Sequence, residues 1–168
     1  MTLSRIALTT FVAFFVSQVM AVLIHGFVLA AAYEPFDGTL LRSGADAWQF
    51  IFLPVAHLAF ICGLVWVYTH AQLTGSRARQ GLTLGVVGWI MGQVPVWLLW
   101  YAEQPWPGSL VVKQLGLELV SSLLIAFTIV FIARRSVSAP ILATAHNDEP
   151  SRGRLDEITP LEQTSQHL

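Results

Sequence analysis

Six side chains able to do acid–base or ligand chemistry interrupt otherwise apolar stretches of this sequence. They are Gln18, His25, His57, Gln93, Gln114 and Glu118. Histidine can carry a proton or bind a metal ion near neutral pH, and a carboxylate can accept a hydrogen bond or a proton. An ionisable residue in an apolar stretch is costly, so these residues form the candidate functional site. No nucleophile–base pair, zinc-binding helix motif or phosphate loop accompanies them, and we therefore predict that the protein is not an enzyme.

The stretches that carry these side chains are long enough to cross a membrane. Hydrophobic residues make up 55% of the 168 residues and charged residues 11%, a composition unlike that of soluble domains. Membrane-spanning helices need about 20 apolar residues, and four continuous runs reach that length. They cover residues 6–32, 47–70, 80–101 and 110–133. We predict an all-α, integral membrane four-helix bundle over residues 1–135.

The lysine and arginine residues predict the orientation of these helices. With the amino terminus in the cytoplasm, only Arg42 and Lys113 fall on the outer side. The other seven of the nine basic residues then lie inside, at positions Arg5, Arg77, Arg79, Arg134, Arg135, Arg152 and Arg154. We therefore expect a multi-pass protein of a bacterial inner (plasma) membrane, with the amino and carboxyl termini both cytoplasmic.

The composition changes abruptly after Arg135. Residues 136–168 carry Pro140, Pro150 and Pro160 together with five acidic residues. Such a segment buries too little apolar surface to fold alone, so we predict a polar, disordered tail. A docking segment for a cytoplasmic partner is the alternative. The formal net charge of -1 argues against nucleic acid as a partner.

The depths of the polar side chains predict that they meet. At 1.5 Å per residue from the outer boundary of each helix, His25, His57, Gln93 and Glu118 lie about 10 to 15 Å deep, one on each helix. Gln18 shares a helix face with His25, as Gln114 and Glu118 do with Ser121 or Ser122. We expect one buried layer in the outer half of the bundle, with Glu118 paired to a histidine.

Three functions suit such a layer. The first is binding of a small ligand, a quinone, a metal ion or haem, with His25 and His57 as the metal ligands and Glu118 as their charge partner. The second is a scaffold subunit in which the layer fixes helix register beside a membrane-protein partner. The third is a small proton-coupled transporter in which Glu118 and a histidine relay the proton.

Glycine, proline and tryptophan residues predict further packing features. The third helix carries one face of small residues, which indicates close packing inside the chain or, alternatively, dimerisation. These residues are Gly81, Gly85, Gly88 and Gly92. Pro54 and Pro95 each remove a backbone hydrogen bond and are expected to kink their helices. An outer interfacial belt is expected at Trp48, Trp97, Trp100, Tyr101 and Trp106.

The third and fourth helices also carry a family resemblance. The run from Gln80 to Trp89, the run from Leu119 to Leu124 and the closing Ala133-Arg134 resemble a family of small uncharacterised bacterial four-helix membrane proteins. The resemblance covers about the second half of the membrane region. It implies the same topology, and it brings no catalytic residue with it.

Overall fold

Four long helices form a bundle in the computed structural model, which describes residues 1–41 and 44–134. We number them α1 (Leu3–Val28), α2 (Phe52–His70), α3 (Arg77–Glu103) and α4 (Gly108–Arg134). All four are long and apolar enough to cross a membrane, so the predicted all-α four-helix fold is confirmed and the chain is a multi-pass membrane protein. Arg42 and the predicted tail lie outside the described residues.

The outward surface of the bundle is apolar. Phe11 is 67% exposed, Phe15 62% and Met91 74%, whereas the fully buried core contains small or branched residues such as Ala13 and Ile129. Large apolar side chains exposed in this way would be unfavourable in water and are at home against lipid chains. The polar side chains of the candidate site therefore stand out against both the surface and the core.

The glycine face of α3 packs inside the chain. A Cβ atom added at Gly85 would lie 2.9 Å from the Cα atom of Leu123 on α4, and one added at Gly92 would lie 2.5 Å from the ring of Phe60 on α2. The absence of side chains thus lets the backbones of α3 and α4 approach closely. Of the two interpretations of this face, packing within the chain agrees with the structure.

Two helices change their hydrogen-bonding pattern at the level of the polar layer. Val22–Val28 of α1 and Trp89–Gln93 of α3 are π-helical, and these segments contain His25 and Gln93. Pro95 follows the second segment and has no N–H to continue regular α-helical bonding. Pro54 lies in the first turn of α2, after the 3-10 segment Gly44–Ile51, where a missing N–H leaves no helical bond broken.

An aromatic cluster closes one end of the bundle, where α1 connects to α2 and α3 connects to α4. Trp97 and Trp106 are only 6% and 4% exposed, and the Trp106 ring lies 5.1 Å from that of Phe36 and 6.5 Å from that of Tyr33. Trp97 and Trp106 of the predicted belt therefore face the inside of the bundle at this end and not its outer surface. The connection between α3 and α4 folds Trp106 inward, where its indole N–H donates to Gln104 Oε1 at 2.8 Å.

Candidate functional site

Three side chains from separate parts of the sequence form a directed chain of hydrogen bonds below the aromatic cluster. The Tyr33 hydroxyl donates to Gln114 Oε1 at 2.6 Å and lies 3.1 Å from His25 Nδ1. Because a hydroxyl has one proton and Gln114 Oε1 can only accept, the Tyr33 oxygen must accept from His25. His25 therefore carries a proton on Nδ1.

The other nitrogen of His25 faces a carboxylate. His25 Nε2 lies 3.4 Å from Glu118 Oε1 and 3.4 Å from the amide nitrogen of Gln114, which donates to the same Glu118 oxygen at 3.0 Å. Since Nδ1 already has its proton, a neutral His25 accepts at Nε2, and a protonated His25 donates from Nε2 to the carboxylate. One proton therefore separates the two states of this pair.

His57 forms the second cluster of the layer. Gln18 Nε2 donates to His57 Nδ1 at 3.0 Å, and the Ser17 hydroxyl lies 3.1 Å from the same atom. An amide nitrogen can only donate, so Nδ1 is an acceptor and a neutral His57 carries its proton on Nε2. This cluster joins α1 to α2, whereas the His25 cluster joins α1 to α4.

A small cavity lies between the two clusters. Its volume is about 20 Å³, and its polar lining comes from all four helices. The polar residues are Ser17, His57, Gln93, Glu118, Ser121 and Ser122, with Ala21, Phe60 and Ile125 completing the wall. A volume of this size holds one water molecule when polar partners surround it.

The structure thus places the six predicted site residues in one layer. They differ in the contacts by which they belong to it. His25, Gln114 and Glu118 share direct hydrogen bonds. Gln18 and His57 form a separate pair. Gln93 makes no side-chain hydrogen bond within residues 1–41 and 44–134, and joins the site only by lining the cavity.

Three residues of the layer escaped the sequence analysis. Tyr33 belongs to the connection after α1, and its sequence gives no sign that the chain turns back over His25. Ser17 is 5% exposed beside Gln18, and a small polar residue next to a candidate could have been included on that ground. Trp89 donates from its indole N–H to the backbone oxygen of Leu115 at 2.9 Å, which attaches the π-helical part of α3 to α4.

The electrostatic surroundings keep Tyr33 protonated. Tyr33 lies beyond the membrane-spanning part of α1, and burial of its ring, followed by the nearby Glu118, raises its pKa well above the ordinary value of 10.0. A neutral hydroxyl is what the directed hydrogen bonds require, since a phenolate could not donate to Gln114. The charge distribution and the hydrogen-bond geometry therefore agree.

The donor set does not fit haem or a quinone. A haem or quinone ring needs a pocket of hundreds of cubic ångströms, whereas the cavity in this layer has a volume of about 20 Å³. The ring nitrogens of His25 and the Nδ1 atom of His57 already have side-chain partners. Over residues 1–41 and 44–134, no group of three or more His, Cys, Asp or Glu side chains is arranged to hold a metal ion.

The fold and this layer define the class of the protein, a multi-pass four-helix membrane protein in which ionisable side chains from different helices contact each other. Comparison of the chain with protein-family models, curated proteins and solved structures gave no match. The resemblance of the third and fourth helices to a family of small bacterial membrane proteins therefore stays a prediction.

Proposed function

We propose that this chain is a non-enzymatic, proton-binding membrane protein in which the His25–Glu118 pair takes up and releases one proton. The observation that carries the proposal is the 3.4 Å contact between His25 Nε2 and Glu118 Oε1. The Tyr33 hydroxyl, the Gln114 amide and His25 Nδ1 have their donor or acceptor roles fixed by their neighbours. The contact between His25 Nε2 and Glu118 is therefore where one proton can be gained or lost.

The energetics of charge in a membrane support this assignment. With one proton between them, Glu118 and His25 form either a neutral acid beside a neutral imidazole or a carboxylate beside an imidazolium, and both arrangements have no net charge. Loss of that proton leaves an unbalanced carboxylate among apolar helices, which is costly. Release of the proton is thus favoured only when a second event compensates the negative charge of the carboxylate. Proton release is then coupled to that second event.

The surroundings of the pair also support a proton rather than a larger ligand. The neighbouring cavity admits an occupant of the size of water. The His25 side chain is 40% exposed and that of Glu118 14%, so the pair reaches the outward surface of the bundle on the His25 side. A proton-coupled transporter and a proton-responsive subunit of a larger membrane complex both fit these features.

A scaffold function is the second candidate, and one observation favours it. The hydrogen bonds of the layer tie α1 to α2 through His57 and α1 to α4 through His25. Polar side chains that bridge helices in lipid contribute on the order of 0.6 to 2 kcal/mol each. A layer that serves only as such a bridge needs no change of protonation.

We further propose that the protein lies in the plasma membrane with its amino and carboxyl termini in the cytoplasm. Met1, Gln72 of the α2–α3 connection and Ala133 line one cavity, so these three parts meet at one end of the bundle. Arg5, Arg77 and Arg79 belong to the same end. The excess of arginine there supports a cytoplasmic position.

Infrared spectroscopy of the purified protein in detergent or lipid tests proton binding directly. We expect a band from the one-proton state of the pair, either the carboxylic acid of Glu118 or the imidazolium of His25, that disappears as the pH rises and is missing or altered in Glu118→Gln and in His25→Ala. Glu103→Gln, which removes an exposed carboxyl group at the end of α3, is the matched control and should keep the band. A spectrum without any pH-dependent band from Glu118 or His25 would contradict proton binding and leave the scaffold function.

A second experiment separates transport from binding. Vesicles containing the protein are given a pH gradient, and its decay is followed with an internal dye. Faster decay than in protein-free vesicles, lost in Glu118→Gln and retained in Glu103→Gln, would support a transporter. An unchanged decay together with a titrating Glu118 would support a proton-responsive subunit.

A further inference from the structure

We propose that Gln18 fixes His57 as the neutral Nε2–H tautomer. In this arrangement one water molecule in the cavity accepts a hydrogen bond from His57 Nε2 and donates one to Glu118. The inference rests on the proposed function, because it names the group that stabilises Glu118 after its proton has left. It gives the two histidines different roles. His25 exchanges the proton, and His57 is a positioning residue that acts through the water.

The tautomer of His57 follows from its contact with the Gln18 amide. The Gln18 amide nitrogen lies 3.0 Å and the Ser17 hydroxyl 3.1 Å from His57 Nδ1. A proton on Nδ1 would face the N–H groups of Gln18, a contact between two donors that carries no hydrogen bond. The single ring proton of a neutral His57 is therefore on Nε2.

The proton on His57 Nε2 needs an acceptor. Within the described residues Nε2 makes no direct side-chain hydrogen bond, while His57 lines the small cavity. Glu118 lines the same cavity and uses only Oε1 for Gln114 and His25, which leaves Oε2 for another donor. One water molecule can accept from His57 and donate to Glu118.

Other polar side chains also line the cavity. Ser121 and Ser122 on α4 are 6% and 2% exposed, and Gln93 on α3 completes the polar lining. A water molecule in a cavity of about 20 Å³ can form hydrogen bonds with these hydroxyl and amide groups as well.

The ionisable groups near His57 are compatible with a neutral His57 that donates to the water molecule. Glu118 on α4 and His25 on α1 are the two whose charges act on His57, and α3 contributes the uncharged Gln93 to the cavity. When Glu118 is a carboxylate, a neutral N–H donor at His57 stabilises it through the water without adding charge. His57 thereby stabilises the carboxylate of Glu118 that remains after the proton is released.

Nitrogen NMR of protein labelled with ¹⁵N-histidine tests the tautomer at neutral pH. We expect the His57 ring, assigned by its loss in His57→Gln, to show a protonated Nε2 and a bare Nδ1. In Gln18→Glu the carboxylate can only accept, so the proton should move to Nδ1. A wild-type ring with its proton on Nδ1, or a ring unchanged by Gln18→Glu, would overturn the inference.

The infrared titration of Glu118 tests the connection through the water. His57→Leu removes the donor, so the pH at which the carboxylic acid band disappears should rise by about one unit, a tenfold smaller carboxylate population at a given pH. His57→Gln keeps an N–H donor and should restore most of the wild-type value. Ser122→Ala, which removes a cavity hydroxyl, should act in the same direction as His57→Leu but less strongly.

Matched controls separate this inference from the proposed function. Thr128→Val removes a hydroxyl of α4 that is bonded to the helix's own Leu124 oxygen, and it should leave the titration of Glu118 unchanged. A Glu118 that titrates identically in the wild type, His57→Leu and Ser122→Ala would overturn the connection through water and leave proton binding in place. A Glu118 that never titrates would instead contradict the proposed function, while the NMR result for His57 would still decide its tautomer.

Discussion

The hydroxyl group of Tyr33 lies 2.6 Å from Gln114 Oε1, and this contact sets the proton positions in the layer below it. Because Tyr33 gives its proton to Gln114, it must accept from His25 Nδ1. His25 then presents Nε2 to Glu118. A residue in the connection after α1 thus determines which nitrogen of a membrane-embedded histidine meets the carboxylate.

Replacing Tyr33 with phenylalanine should release His25 and Gln114 from this arrangement. The fully buried Gln114 and the partly exposed His25 lose their partner, so we expect the free energy of unfolding to fall by about 1 to 3 kcal/mol. Thermal unfolding in detergent measures the change. Tyr101→Phe, at a site where the side chain is 50% exposed, should have no comparable effect, and equal losses in the two variants would contradict the role given to Tyr33.

Alkaline pH should destabilise the protein partly through Tyr33. Its raised pKa means that the folded state holds the phenolic proton more tightly than the unfolded state does. The stabilisation is fully present below the ordinary pKa of 10.0 and is lost progressively as the pH rises above it, since only the unfolded chain then ionises. Unfolding experiments near pH 10 and above should show a shallower decline for Tyr33→Phe than for the wild type, and parallel declines would count against a buried, neutral Tyr33.

Glu118 and His25 should be energetically coupled. In a double-mutant cycle on His25→Ala and Glu118→Gln, we expect a coupling energy of about 1 to 2 kcal/mol, because the side chains are in direct contact. His70 is exposed at the end of α2 that faces away from the layer, so a cycle on His70→Ala and Glu118→Gln is the control. A coupling energy near zero in the first cycle would show that His25 and Glu118 are not in contact in the purified protein.

The glycine face of α3 should be intolerant of larger residues. In Gly85→Ala the new methyl group meets the backbone of Leu123, which cannot move without separating α3 from α4. We expect a loss of about 1 to 3 kcal/mol in unfolding free energy. Gly116→Ala on α4, where a Cβ would meet nothing within 4 Å, is the matched control and should be neutral or stabilising. An equal loss of unfolding free energy in Gly85→Ala and Gly116→Ala would contradict the role of the contact between α3 and α4, because it would show that any glycine replacement in these helices is unfavourable.

Reporter fusions should fix the orientation. A reporter active only in the cytoplasm should be active when fused after Leu168, and one inserted at Gly38 should behave as exported. Both expectations follow from the excess of arginine at the end of the bundle that contains Arg5, Arg77 and Arg79. The opposite pair of results would place the polar layer in the cytoplasmic half.

The sequence by itself determined the helical architecture. Hydrocarbon offers no hydrogen bonds, so a long apolar run has to form a helix wherever it crosses a membrane, and counting residues is enough to find four of them. The same cost of burial singled out His25, His57 and Glu118, because ionisable residues in such runs require partners. Rise per residue even predicted their common depth.

Only the tertiary structure decided which partner each residue has. The depth of His25 and His57 is similar, yet Glu118 contacts His25, since the π-helical segment of α1 and the turn at Tyr33 orient the imidazole toward α4. Both features depend on packing between segments far apart in the chain. The inward positions of Trp97 and Trp106 have the same origin, because a tryptophan near a helix end suits the interface and the core equally well until its neighbours are in place.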